Sequence, residues 1–313
     1  MKNCNEHSLS NAGRPTKQKN MKSIEHFIAK ATDITINVKG ESMKVLTKEE
    51  VIKFIRSVYG KTFTTRGSAM TTTNLSYLGS VNGSAKIMKG LKEMNYSTYI
   101  LYLQSYKTAF GNVCAKGEHC ADACLNTSGR VKMDVKEFRI LGARYLKTVL
   151  FYVNRQFFND WLFAEIDAHS KKYENFMVRL NGTSDLSPLM FTNVDGVNIL
   201  QKFPDTTFYD YTKIKNRVNV AGNHSNYHLT FSFDGHNMYE CRMMLALGIN
   251  VSIVIDGEMP TMFMNKPVFS MDITDLRPLD EMKGAFGYLK LKETLNKDYD
   301  SSFVIKNLEE VNY

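Results

Sequence analysis

The 313-residue sequence has no apolar run long enough to cross a bilayer, and its first residues carry charge, Ser and Asn where a signal peptide would place an apolar core. A soluble, cytoplasmic protein with no membrane partner is therefore expected. Also missing are a phosphate-loop motif, a Gly-rich dinucleotide fingerprint and a nucleophile elbow, which sets aside nucleotide-dependent kinases and serine hydrolases. Cysteine is sparse, at five residues. In a reducing compartment, three of those five clustered together speak for a metal or for catalysis rather than for a disulfide framework. Blocks of like charge are absent too: 40 Lys and Arg against 32 Asp and Glu give a formal +8 spread over the whole chain. Nucleic acid is a compatible partner on that balance, and so is plain solubility. What is present is enough apolar residue, 43%, to bury a sizeable core in one large or two ordinary domains.

The most informative stretch is residues 111–130, which hold Cys114, Cys120 and Cys124. Thiolates are soft ligands, and three on one short loop can converge on a single centre. Three readings are open. The thiolates bind three irons of a [4Fe-4S] cluster and leave the fourth iron open to a ligand. Alternatively they hold structural zinc, with His119 or the distant Cys241 as fourth ligand, or they are simply buried cysteines. Cys4 lies in the N-terminal tail, and Cys241 reads better as a core cysteine.

Along the chain, residues 1–22 read as a disordered basic tail containing Gly13-Arg14-Pro15, and residues 23–95 as an N-terminal α+β extension packing on the domain downstream. Within the extension, Thr47-Lys48-Glu49-Glu50 starts a helix with Val51, Phe54, Ile55 and Val58 at helical spacing. Residues 60–95 read as loop with short strands. Tyr96 to Leu103 is a strand leading to the cysteine loop, and Asp134 to Ala168 keeps a helical period over one long helix or two. From residue 175 short apolar runs recur: Phe176 to Asn181, Thr206 to Tyr211, Tyr227 to Ser232, Ile249 to Ile255, Val268 to Ile273 and Ala285 to Leu291. Helical pieces fit between several, most clearly Asn237 to Leu247. The fold class is α/β, an open or partial β/α barrel over 96–295 with a C-terminal tail from 296 to 313.

In such barrels the reacting groups gather at the C-terminal strand ends. There this sequence places Arg179, Ser184 and Asp185, then Lys213, then Ser232, then Asp272, Asp275 and Arg277, with Lys290 and Lys292 closing the series. Asp185, Lys213, Asp272 and Asp275 are the candidate acid–base residues, and Arg179, Ser184, Ser232 and Arg277 the candidate cofactor-binding ones. An open-site cluster suits a loop placed after the first barrel strand better than a closed zinc staple does. His224 and His228, four apart on what reads as a strand, are too far separated for one metal. His236 reads as a turn residue, and Met259, Met262 and Met264 as loop packing.

Five motifs in one order resemble a family of bacteriophage proteins called gene product 88. They are Cys124-Leu125-Asn126-Thr127-Ser128-Gly129-Arg130, Arg179 to Asp185, Phe208 to Lys213, Leu229 to Ser232 and Asp272 to Arg277. The layout is similar to that of radical S-adenosylmethionine barrels. The resemblance implies a phage-encoded iron–sulfur protein in the host cytoplasm, an enzyme that uses a [4Fe-4S] cluster and S-adenosylmethionine on a nucleic acid or nucleotide-type substrate. Two alternatives stand beside it. One is a zinc-stapled nucleic-acid-binding or host-interaction protein without catalysis; the other is a base-modifying, transglycosylase-like barrel with structural zinc.

Overall fold

A computed structural model describes residues 35–38, 41–44, 77–105, 112–120, 139–153, 155–292 and 302–306. Strands β1 (Thr35–Val38) and β2 (Glu41–Lys44) form a separate antiparallel hairpin. All other strands belong to one ten-stranded sheet. Its parallel members are β4 (Ser97–Leu101), β5 (Phe176–Arg179), β6 (Thr207–Thr212), β7 (Tyr227–Ser232), β8 (Val251–Ile255), β11 (Phe286–Lys290) and β10 (Lys266–Ser270), adjacent in that order. Strands β3 (Gly79–Val81) and β9 (Met262–Phe263) add antiparallel edges, on β4 and β10 respectively.

Side chains alternate between the two faces of each strand, and here the faces differ in chemistry. One face is apolar. Tyr99, Leu101, Val178, Phe208 and Leu229 pack with Leu150, Phe151, Phe158 and Trp161 from the helices Arg139–Val153 and Arg155–Lys172. Farther along, Phe231, Val251, Ile253 and Phe286 pack on Cys241, Met244 and Leu245 of the helix Met238–Ala246. Each such side chain contributes about 1.5–3 kcal/mol on leaving water, so the apolar face carries the core. On the other face Met177 and Tyr209 pack against Leu276, which belongs to the segment following β10.

The sheet is open; its ends do not hydrogen-bond to each other, so a closed barrel is not formed among the described residues. The two ends are bridged by side chains instead. Lys86, on the helix Ala85–Met94 that precedes β4, forms an ion pair with Asp272 just after β10 and donates to the Met271 carbonyl at 3.2 Å. Gly90 of the same helix lies so close to Leu276 that an added Cβ would sit 2.9 Å from that side chain. The segment after β10 therefore spans the gap that strand pairing leaves.

A second irregularity lies mid-sheet. Strand β7 meets β8 at only two positions, Phe231 with Val251 and Ser232 with Ser252. Beyond them the strands part, and β12 (Val304–Ile305) pairs in parallel with Val254 and Ile255. Strand β11 already occupies the other edge of β8 along its length, so β12 fills the place β7 vacates.

Several sequence expectations need correction. Residues 85–94 are helix rather than loop: Ser84 caps the first turn by accepting from the Ile87 amide at 3.3 Å, and Asn95 ends the helix with φ 55°. Gly83 and Gly90 give this stretch the look of a loop. By contrast, the long periodic stretch, read as one helix or two, is two helices, Arg139–Val153 and Arg155–Lys172, as one of those alternatives has it. Strand β12 lies within the residues that read as a C-terminal tail. The helix read at residues 47–58 and the tail at 1–22 lie outside the described residues. No described helix is long and apolar enough to cross a membrane.

Edge strand β3 is held by a buried charge. Glu165 accepts from the Leu78 amide at 3.0 Å, the Gly79 amide at 3.2 Å and the Tyr99 hydroxyl at 2.7 Å. Lys147 donates to the Leu78 carbonyl at 2.7 Å; burial first, then Arg144, lower its pKa to about 8 against the opposing pull of Glu165. Removing one charge of such a group costs about 3–5 kcal/mol, because the other stays buried. We expect Glu165→Ala to lower the unfolding free energy by about 3 kcal/mol, measured from the urea midpoint at unchanged slope. A loss below about 1 kcal/mol would show that strand pairing alone fixes this edge.

Candidate active-site cavity

Beyond the C-terminal ends of the parallel strands the structure encloses a cavity of about 360 Å³, within the range of small-molecule sites. Of the residues singled out in the sequence, Arg179, Ser184, Asp185, Lys213, Ser232, Asp272 and Asp275 line it, together with Cys114 and Cys120. Arg277 does not. It is 1% exposed and spends its guanidinium on the Thr274 carbonyl at 2.6 Å and Asp280 at 3.5 Å. It therefore braces the segment behind the cavity wall.

Each lining carboxylate is already committed. Asp185 accepts from the Thr212 hydroxyl at 2.7 Å and the Lys213 amide at 2.9 Å, and the buried Arg217 reaches it at 3.4 Å. Asp275 pairs with Arg179 at 2.7 Å and accepts from the Tyr211 hydroxyl at 3.2 Å, while the Arg179 guanidinium lies 4.5 Å above the Tyr211 ring. Burial opposes the charge on Arg179, but Asp275 and the surrounding tyrosines outweigh it and raise its pKa. Asp272 takes Lys86 and accepts from the Lys290 amide at 2.7 Å. Burial pushes its pKa up, but the Lys86 ammonium and the Lys290 amide outweigh this and hold it below the usual range.

The loop after β5 is fixed by one asparagine. The Asn181 amide donates to Asp210 at 2.8 Å, its Nδ2 to Asp210 at 2.9 Å and the Leu186 carbonyl at 2.9 Å, and its Oδ1 accepts from Ser184 and from the Leu186 amide, each at 2.8 Å. Gly182 is needed next to it, because a Cβ there would sit 2.5 Å from the Tyr102 ring. This loop also anchors the cysteine loop: the Asp185 amide donates to the Val113 carbonyl at 2.7 Å, one residue before Cys114.

Cys114 and Cys120 meet a cation. The charged form of Lys213 is disfavoured by burial, but Cys120, Cys114 and Asp185 more than reverse this, and a hydrogen bond to Cys120 adds to it, so its pKa is raised. An ammonium group beside thiols stabilises the thiolate, the form that attacks or ligates. Among the described residues no group of three His, Cys, Asp or Glu is placed to hold a metal ion; Cys124 lies outside those residues. Next to Cys120, the His119 ring packs 4.0 Å from that of His236, and His236 Nε2 is 2.8 Å from the Ser302 hydroxyl. His236 is thus more than a turn residue. Cys241 is fully buried in the core cluster, and burial raises its thiol pKa.

Sequence reasoning missed Lys86, Tyr102, Ser252 and Phe303 as lining residues. Lys86 and Phe303 are hidden by the helix and strand beside them, which sequence periodicity does not reveal. Ser252 has a signal, being a polar residue in the middle of an apolar strand; its hydroxyl donates to Ser232 at 3.1 Å where β7 and β8 separate.

The model of a family described as gene product 88 matches residues 76–302. No curated protein and no solved structure matches the chain.

The network beneath the loop has a measurable pH signature. Burial raises the Asp210 pKa to about 6 despite the hydrogen bonds from Asn181. The folded-state value lies above that of the unfolded chain, so the contribution is full below about pH 4 and is lost as pH rises through 6. Relative to Asp210→Asn, the wild type should gain stability as pH falls from 7 to 4, measured by urea unfolding across that range. A difference that does not change with pH would mean that Asp210 is ionised throughout.

Proposed function

The chain belongs to the gene product 88 family, as its five motifs anticipate, and on that premise we propose that it is an enzyme of radical S-adenosylmethionine type with a partial-barrel active site. The supporting observation is that the two described cysteines of the loop face the same cavity as the polar strand-end residues. Cys114 and Cys120, with a buried ammonium beside them, have the chemistry of two of the three thiolate ligands of a [4Fe-4S] cluster, and Cys124 supplies the third. Such a cluster, when bound, supplies an electron and an open iron for S-adenosylmethionine.

The remaining work falls to the chain's own side chains. Lys213 places an ammonium group beside the two thiols. Arg179 and the Ser232–Ser252 hydroxyl pair present hydrogen-bond groups to a ligand, and Asp185 and Asp275, each already ion-paired, keep cations and hydroxyls oriented. A nucleotide-type substrate, free or within nucleic acid, suits this mixture of cations and aromatic rings. A second reading is a structural zinc on the loop thiolates Cys114, Cys120 and Cys124, with His119 beside Cys120 in sequence as the candidate fourth ligand.

Anaerobic purification followed by iron, sulfide and zinc analysis separates the two. The cluster reading requires a brown protein with about four irons per chain, bleached in Cys120→Ala. A colourless protein carrying one zinc would overturn it in favour of the staple.

A further inference from the structure

One wall of the cavity, remote in sequence from the cysteine loop, carries positive charge that the described residues only partly neutralise. It is built from the start of the helix Ala85–Met94, the residue after β10 and the end of β11. Five cationic side chains and three carboxylates line the whole cavity. Their pairings are specific: Asp275 takes Arg179, Asp272 takes Lys86, Asp185 is held from beneath by Arg217, and Lys213 faces the thiols. Lys290 and Lys292 are left with no hydrogen-bond or ion-pair partner for their ammonium groups among the described residues. Partial burial, and then Lys86, lower the pKa of Lys292 against the opposing pull of Asp272 and Asp275. A depressed lysine beside a second lysine marks a place where negative charge is wanted.

Two further features point the same way. The ten-residue helix has no acidic residue in its first turn, and its Ser84 cap engages the Ile87 amide. The amides of Ala85 and Lys86 remain without partners among the described residues, and both residues line the cavity, so the positive end of the helix faces into it. Arg179, next along the wall, adds a guanidinium whose charge is shared with Asp275. Two unmatched ammonium groups and two open amides together suit a dianion with several acceptor oxygens.

We infer that this wall is an anion subsite for a phosphomonoester, and that the small-molecule substrate of the cavity carries one. The inference rests on the reading of this cavity as the substrate site, but it does not involve the cysteines. A monoester fits better than a phosphodiester: its second charge matches the two unmatched lysines, and the cavity, at about 360 Å³, has the volume of a single small ligand.

The test is isothermal titration of the full chain, as isolated and after iron is stripped with a chelator, at fixed moderate salt. The probes are adenosine 5′-monophosphate, adenosine and a short oligothymidylate. The monophosphate should bind at least about tenfold more tightly than adenosine, in the stripped protein as well. Lys292→Met and Lys290→Met should each remove most of that advantage and leave adenosine binding unchanged; both positions are exposed, so folding is not at risk. Equal binding of the monophosphate and adenosine, or an advantage that survives both substitutions, overturns the subsite. Tighter binding of the oligothymidylate than of the monophosphate overturns the monoester assignment in favour of a polymer. Monophosphate binding by a protein that never contained iron would sink the cluster reading alone and leave the subsite standing.

Discussion

The ion pair between Arg179 and Asp275 holds together what the sheet cannot. Ten strands lie edge to edge without closing, and the polar face of an open sheet would admit water along its whole length. The segment after β10 prevents this by reaching back across that face to β5, where Asp275 meets Arg179 at 2.7 Å. Lys86 and Asp272 repeat the contact one step nearer the solvent. Both ion pairs form the floor and wall of the cavity, so the closure of the fold and the shape of the site share the same atoms. Such buried pairs add little net stability over an apolar substitute, but losing one partner is expensive, which makes them devices for geometry more than for stability.

The division of the sheet into two chemistries follows from the same arrangement. Its helix-covered face is filled with Leu, Ile, Val and Phe and carries the hydrophobic stabilisation. The inner face presents Thr98, Arg179, Tyr209, Tyr211, Thr230 and Ser252 at strand positions that would otherwise be apolar. Thr230 buries its hydroxyl without a partner among the described residues. A fold optimised for stability alone would not leave it so; it is the usual trace of a face shaped for water or ligand.

Much of this was legible in the sequence, and the parts that were not share a cause. Apolar runs bounded by turn residues located β4 to β8, β10 and β11, because a buried parallel strand has to be continuously apolar. Polar residues at successive strand ends marked the cavity for the same geometric reason. The helix Ala85–Met94 escaped because Gly83, Gly90 and a run of Ser and Thr ahead of it look like loop; its stability comes from Ser84, Asn95 and packing on Leu276, none of which shows as periodicity. Arg277 was misplaced because a charged residue at a strand end reads as exposed, whereas here the backbone folds it under Asp280. Two-residue β12 is too short to have any pattern. Its place depends on where β7 and β8 diverge, which is a tertiary fact.

That divergence bears on the order in which the protein can be assembled. Strand β12 adds to β8 only where β7 has left it, and Ser302 sits so close to Gly235 that no larger residue fits at that turn. Phe303, between them, lines the cavity, and the Lys213 ammonium lies 5.8 Å from the centre of its ring. A growing chain can therefore lay down the sheet from β3 to β11 in sequence while the cavity still lacks a wall. The wall arrives with residues 302–306, after every other strand of the sheet, so the site is completed by the strand that comes last in order.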